Sequence, residues 1–170
     1  IACKVLDQLN RKFPSAEIPA PIGSRGGWVQ SPINSTAISL MSARDWLHAM
    51  RKYDSDKHHV YLKDSVIGGC RQLAQELQTA VKSNVSLFIN ILQTMPLDIN
   101  VAYPEAIISG LGEIDLDTER AKEAVSAAFR WPAGAFDRSI CWFVRRHPIV
   151  ASDSLIIDRM FHVAEFGSAS

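Results

Sequence analysis

The chain has 170 residues, 47% of them hydrophobic, and eighteen Lys plus Arg balance eighteen Asp plus Glu, which suits one globular domain with a sizeable core. Zero net charge removes any overall pull toward nucleic acid or anionic lipid. No window approaches the roughly 18 apolar residues that cross a bilayer, and the start does not read as a signal peptide, so a cytoplasmic protein without a membrane partner is expected.

In chain order, Ala2, Val5, Leu6, Leu9 and Phe13 form a helical stripe that Pro14 helps to stop, because the residue before a proline is biased away from helical geometry. Residues 1–13 are therefore expected to be a terminal helix. From Pro14 to Asn34, four prolines and Gly23, Gly26 and Gly27 leave no room for a regular element, and the loop is expected to run on to residue 41. Long loops of this kind are usually functional or linkers. Trp28, beside Arg25, is its bulky anchor: the pair either presents a contact surface to a partner or pins the loop to the core. The glycines before Trp28 form no P-loop, since no Gly-Lys-Ser/Thr follows, and their spacing is not the GxGxxG of a dinucleotide fingerprint.

The helical part begins at Ser42, which with Asp45 resembles a capping box and opens a helix carrying Ala43, Trp46, Leu47 and Met50 inward and ending near Tyr53. A polar link from Asp54 to Asp64 contains His58 and His59, adjacent residues that point in different directions on a helix or a strand and make a poor metal clamp. Val66, Cys70, Leu73, Ala74, Leu77 and Val81 then fall on one helical stripe. After Ser83 and Asn84, either of which can cap, the spacing restarts at Val85, Phe88, Ile91, Leu92 and Met95. Two such helices on a short link make an antiparallel hairpin.

Asn100 is a candidate cap for a helix with Pro104 in its first turn and Tyr103, Ala106, Ile107 and Leu111 inward. Asp115 or Asp117 caps the next helix, with its stripe of Ala121, Ala124, Val125, Ala128 and Phe129. Phe136, Ile140, Phe143 and Val144 define another that stops at His147-Pro148, and Ser152 or Asp153 caps the last, burying Ile156, Ile157, Met160, Phe161 and Ala164.

Hairpins thus start near 66, 102 and 133, about every 31 to 36 residues, a period typical of stacked supersecondary units. The expected fold is all-α: antiparallel helical hairpins over residues 42–166 stacked as a short HEAT- or TPR-like α-solenoid, with a compact irregular helical bundle as the alternative. Residues 167–170 read as a tail or linker, and the start on Ile1 inside a helical pattern reads as a segment of a larger protein.

Chemical signatures are sparse. There is no zinc HExxH, CxxC pair, GxSxG elbow or EF-hand spacing, so no catalytic residue, metal ligand or cofactor is assigned. Cys3, Cys70 and Cys141 are odd in number and each sits in an apolar helical pattern, as reduced core thiols do. Arg145 and Arg146 are candidate contacts for an acidic partner or, with His147, complements to a helix C-terminus. Trp131 and Trp142 are expected in packing, since no basic groove accompanies them. The runner-up to a binding module is an enzymatic or active-site-completing domain using the 14–34 loop and the His58-His59 segment.

The segments Arg44–Asp56, Gly68–Gln78, Ile99–Glu113 and Ser139–Pro148 together resemble the α-helical repeat regions beside the nucleotide-binding modules of large bacterial STAND-type signal-transducing ATPases, some of which act in defence against phage. The resemblance spans about Ser42 to Phe166. It implies a non-enzymatic repeat module that recognises a trigger or supports assembly through a protein partner or the other domains of its parent chain. The ATP site would then lie elsewhere in the parent, because no Walker lysine occurs here.

Overall fold

A computed structural model describes residues 29–56, 60–61 and 66–166. The expected terminal helix 1–13, Cys3, Arg25, Trp28, the His58-His59 pair, the side chain of Ala164 and the 167–170 tail lie outside what it describes. The described residues form eight α-helices: α1 Ser35–Ile38, α2 Ala43–Lys52, α3 Cys70–Ala80, α4 Val85–Thr94, α5 Ala102–Gly112, α6 Thr118–Ala128, α7 Asp137–Arg146 and α8 Ser154–Phe166. Three two-residue strands accompany them, β1 Val29–Gln30, β2 Val60–Tyr61 and β3 Val66–Ile67. The chain is mostly helical, consistent with the all-α class.

Local chemistry explains most helix starts. Ser42 and Asp45 close the expected capping box: the Ser42 hydroxyl accepts from the Asp45 N–H at 3.3 Å, and the Asp45 carboxylate accepts from the Ser42 N–H at 3.0 Å. Asn84 caps α4 by accepting from the Leu87 N–H, Asp117 caps α6 by accepting from the Arg120 N–H, and Asp153 accepts from the Leu155 N–H at the start of α8. At the turn before α7, Gly134 takes φ of 92°, a left-handed conformation that L side chains resist, and its N–H donates to Asp137 at 2.8 Å.

Two expectations need correction. The loop proposed for 14–41 contains regular structure in its second half: β1 pairs in parallel with β3, which in turn pairs antiparallel with β2 of the 54–64 link, and Ser35–Ile38 is helical, capped by Asn34. Val66 also belongs to a strand and not to the helical stripe. Its spacing to Cys70 matched a helix, but Gly68 and Gly69 interrupt, Val66 and Ile67 are β-branched, and the Gly68 N–H extends the ladder to the Gln30 carbonyl at 2.8 Å. The helix begins only at Cys70. Its cap comes from afar: the Asp56 carboxylate accepts from the Arg71 N–H at 2.9 Å and pairs with the Arg71 guanidinium at 3.2 Å.

Packing follows an alternation. α3 packs on α5 and α5 on α7, with α1 beside α3; α2 packs on α4 and α4 on α6, and the 3-10 turn Pro148–Ser152 continues against α6. Corresponding ends meet within each row. Lys82, just past α3, pairs with Glu113, just past α5, at 2.6 Å, and Ser139 near the start of α7 donates to Glu105 near the start of α5. Leu73, Leu77, Ile91, Leu92, Ile107, Leu111, Val125 and Phe143 are buried in one continuous core, where dispersion and removal of apolar surface from water supply the main stabilisation.

Two arginines tie neighbouring elements together. Arg130, just past α6, donates to the carbonyls of Leu92, Gln93 and Met95 at the end of α4, and Arg159 of α8 donates to the Trp131 carbonyl at 3.3 Å. The last carbonyls of a helix have no partners within it, so a cation there satisfies them and opposes the negative end of the dipole. Arg130→Met is expected to lower stability by about 1 to 2 kcal/mol in urea denaturation, the range for charged hydrogen bonds at a partly exposed site. Arg130→Lys should recover only part of that, because an ammonium lacks the planar fork.

Candidate functional site

Of the residues proposed for partner contact, Arg25 and Trp28 lie outside the described residues. Arg145 and Arg146 are exposed at the end of α7. They do not converge: Arg146 donates through Nε to the Gly112 carbonyl at 3.4 Å, closing the end of α5 and not that of its own helix, whereas Arg145 has no ion-pair partner among the described residues. His147, next in sequence, is buried with its ring 4.6 Å from that of Phe143. Asp56 is committed to Arg71, and no cluster of three His, Cys, Asp or Glu suited to a metal occurs among the described residues.

The thiols part company. Cys70 is buried beside the Tyr103 hydroxyl, which donates to the Tyr53 carbonyl, and burial pushes both the Cys70 thiol and the Tyr103 phenol above their ordinary pKa ranges. This cluster, with Asn100 donating to the Asp54 carbonyl at 2.7 Å, fastens the chain after α2 to the starts of α3 and α5. Cys141, expected in the core, is exposed. The inward face of α7 is taken by Ile140, Phe143 and Val144, which leaves Cys141 on the outside, and partial desolvation and nearby Asp137 push its thiol up. Phe161 is likewise exposed, whereas Ile156 is buried as expected. In a Cys3→Ser background, iodoacetamide at neutral pH is expected to label Cys141 slowly in the folded protein and Cys70 only after denaturation, as read by peptide mass spectrometry.

Two open grooves collect polar side chains. One, about 400 Å³, crosses α5 and α7 and is lined by Gln78, Glu105, Ser109, Glu113, Arg138, Ser139 and Trp142. Its carboxylates are already engaged: Ser139 donates to Glu105, while Lys82 and the Gln78 amide at 2.9 Å hold the Glu113 carboxyl below its usual pKa. Trp142 lies against Gly112 and remains 38% exposed, while Trp131 is buried as expected. The other groove, about 450 Å³, lies between α2 and the end of α4, lined by Arg44, Leu47, His48, Arg51, Thr94 and Pro96. Sequence reading passed over it, because its walls are 43 to 52 residues apart and only the pairing of α2 with α4 brings them together.

No family model, curated protein or solved structure matches the chain. No described helix is long and apolar enough to cross a membrane.

Proposed function

We propose that residues 42–166 form a short α-solenoid of the HEAT or TPR kind that serves as a non-enzymatic, cytoplasmic protein-interaction module. The observation that carries this reading is the alternation of packing: α3, α5 and α7 in one row, α2, α4 and α6 in the other, with like ends tied by Lys82–Glu113, Ser139–Glu105 and Arg130. Hairpins starting at Cys70, Ala102 and Asp137 recur every 32 to 35 residues, and α1 with α2 extends the same order one unit toward the N-terminus. An array of this kind contacts only its neighbours and presents long solvent-facing helix rows on which a partner can lie. Within a bacterial STAND-type signalling or defence ATPase, such a module would sense a trigger or support assembly, with nucleotide chemistry elsewhere in the parent.

Site-specific photocrosslinking in cells tests the reading, with a benzophenone side chain placed in turn at Arg44, Asn90, Ser109 and Arg145. Crosslinks to one defined protein, or to another domain of the same chain, concentrated on one row, are expected. Absence of protein crosslinks at all four positions would overturn it.

A further inference from the structure

We infer that the groove between α2 and the end of α4 docks an acidic peptide segment, one with two carboxylates about three residues apart flanking a small apolar side chain. The inference rests on the interaction-module reading and names the chemistry of its partner. Arg44, His48 and Arg51 follow one another at steps of four and three, which places them on one face of α2, and all three are exposed. No carboxylate lines the groove, and neither arginine has an ion-pair partner among the described residues.

Helix stability does not account for this arrangement. Arg51 in the last turn of α2 complements the negative end of the dipole, but Arg44 stands in the first turn, where a cation is disfavoured. The carboxylate of that turn, Asp45, is occupied by Ser42, whose hydrogen bonds hold its carboxyl below the usual pKa. Arg44 is attracted by the Asp45 carboxylate beside it but makes no ion pair with it, and it lines a groove of its own sign.

The spacing sets the partner. Seven residues of helix separate Arg44 from Arg51 by about 10 Å along the axis, and an extended chain advances about 3.3 to 3.6 Å per residue, so carboxylates three positions apart reach both guanidiniums. Leu47 and Pro96, both half-buried, give the floor an apolar patch between them. An extended peptide fits better than a nucleic acid. No Phe, Tyr or Trp lines the groove to stack on a base, His48 being the one ring among its lining residues, and two fixed charges make a small footprint for a phosphate backbone.

The test is fluorescence anisotropy with a labelled twelve-residue peptide carrying Glu at every third position around Leu, its Gln counterpart, and a single-stranded oligonucleotide, each titrated with the whole chain at 50 and 200 mM NaCl. The Glu peptide is expected to bind at least tenfold more tightly than the Gln peptide, more weakly at the higher salt. The double variant R44E/R51E should lose at least tenfold while keeping its helical circular dichroism and melting midpoint. Equal binding of the two peptides, binding of neither, an unaffected double variant, or an oligonucleotide that binds more tightly than the Glu peptide would each overturn the proposal. Protein crosslinks at Asn90, Ser109 or Arg145 without peptide binding here would remove this groove and leave the interaction module standing, whereas loss of all crosslinks removes both.

Discussion

Leu73→Asp is expected to leave a chain without a cooperative unfolding transition. Leu73 is wholly buried on α3, within the layer that α5 covers, and the buried nitrogens left without a partner, Trp131 Nε1 and His147 Nε2, belong to other elements. An unpaired buried charge costs several kcal/mol or more even after it neutralises by protonation, against a total stability of about 5 to 15 kcal/mol for a domain. Phe88→Asp should behave alike, since Phe88 is buried and packs edge-on against Trp46 at 5.7 Å. Leu73→Ala separates charge from volume: it should fold and lose about 2 to 5 kcal/mol, the range for removing a large buried side chain. Thermal melts followed by circular dichroism read all three. A soluble Leu73→Asp protein with an unchanged midpoint would mean that the buried face of α3 is a different one.

Gly110→Val should part α3 from α5, and Gly110→Ala should already destabilise. Alanine in place of a mid-helix glycine ordinarily gains about 1 kcal/mol. At Gly110, however, an added Cβ would stand 2.6 Å from the Gln78 carbonyl oxygen and 3.1 Å from Val81 Cβ. The nearest atom is backbone of a packed helix and cannot swing aside, so overpacking of about 1 to 3 kcal/mol outweighs the propensity gain. Gly112→Ala is the control. Its Cβ would meet only the ring of Trp142, which is partly exposed and free to yield, so stability should change little while tryptophan emission shifts to the red. If Gly110→Ala instead stabilises, the two helices do not approach as closely as described.

Much of the helical part was legible from side-chain pattern because the forces involved are local. The stripes through Leu73, Phe88, Ile107, Ala124 and Phe143 are buried as their spacing requires, and Ser42, Asn84, Asp117 and Asp153 cap where short polar side chains precede apolar periodicity. Misreadings fell where a short run satisfied two patterns or where the deciding partner lay far along the chain. Val66 fitted a helical spacing, yet its extended form is fixed by its register with Val29 and Tyr61 on neighbouring strands. Cys141 and Phe161 are apolar enough for a core, but other residues already cover the face turned inward.

By itself, then, the sequence determined that this chain is helical, where most of its helices begin and which stripe of most of them is buried, since capping and amphipathic period act within a few residues. Tertiary structure alone decided that alternate helices stack in rows, that Asp56 caps α3, and that Arg130 and Arg146 close helices other than their own. It likewise brought Arg44 and Arg51 to face Thr94 and Pro96 across one groove. Those pairings join residues 15 to 52 positions apart, and no local preference encodes which distant carbonyl or side chain a charged group will meet once the helices have packed.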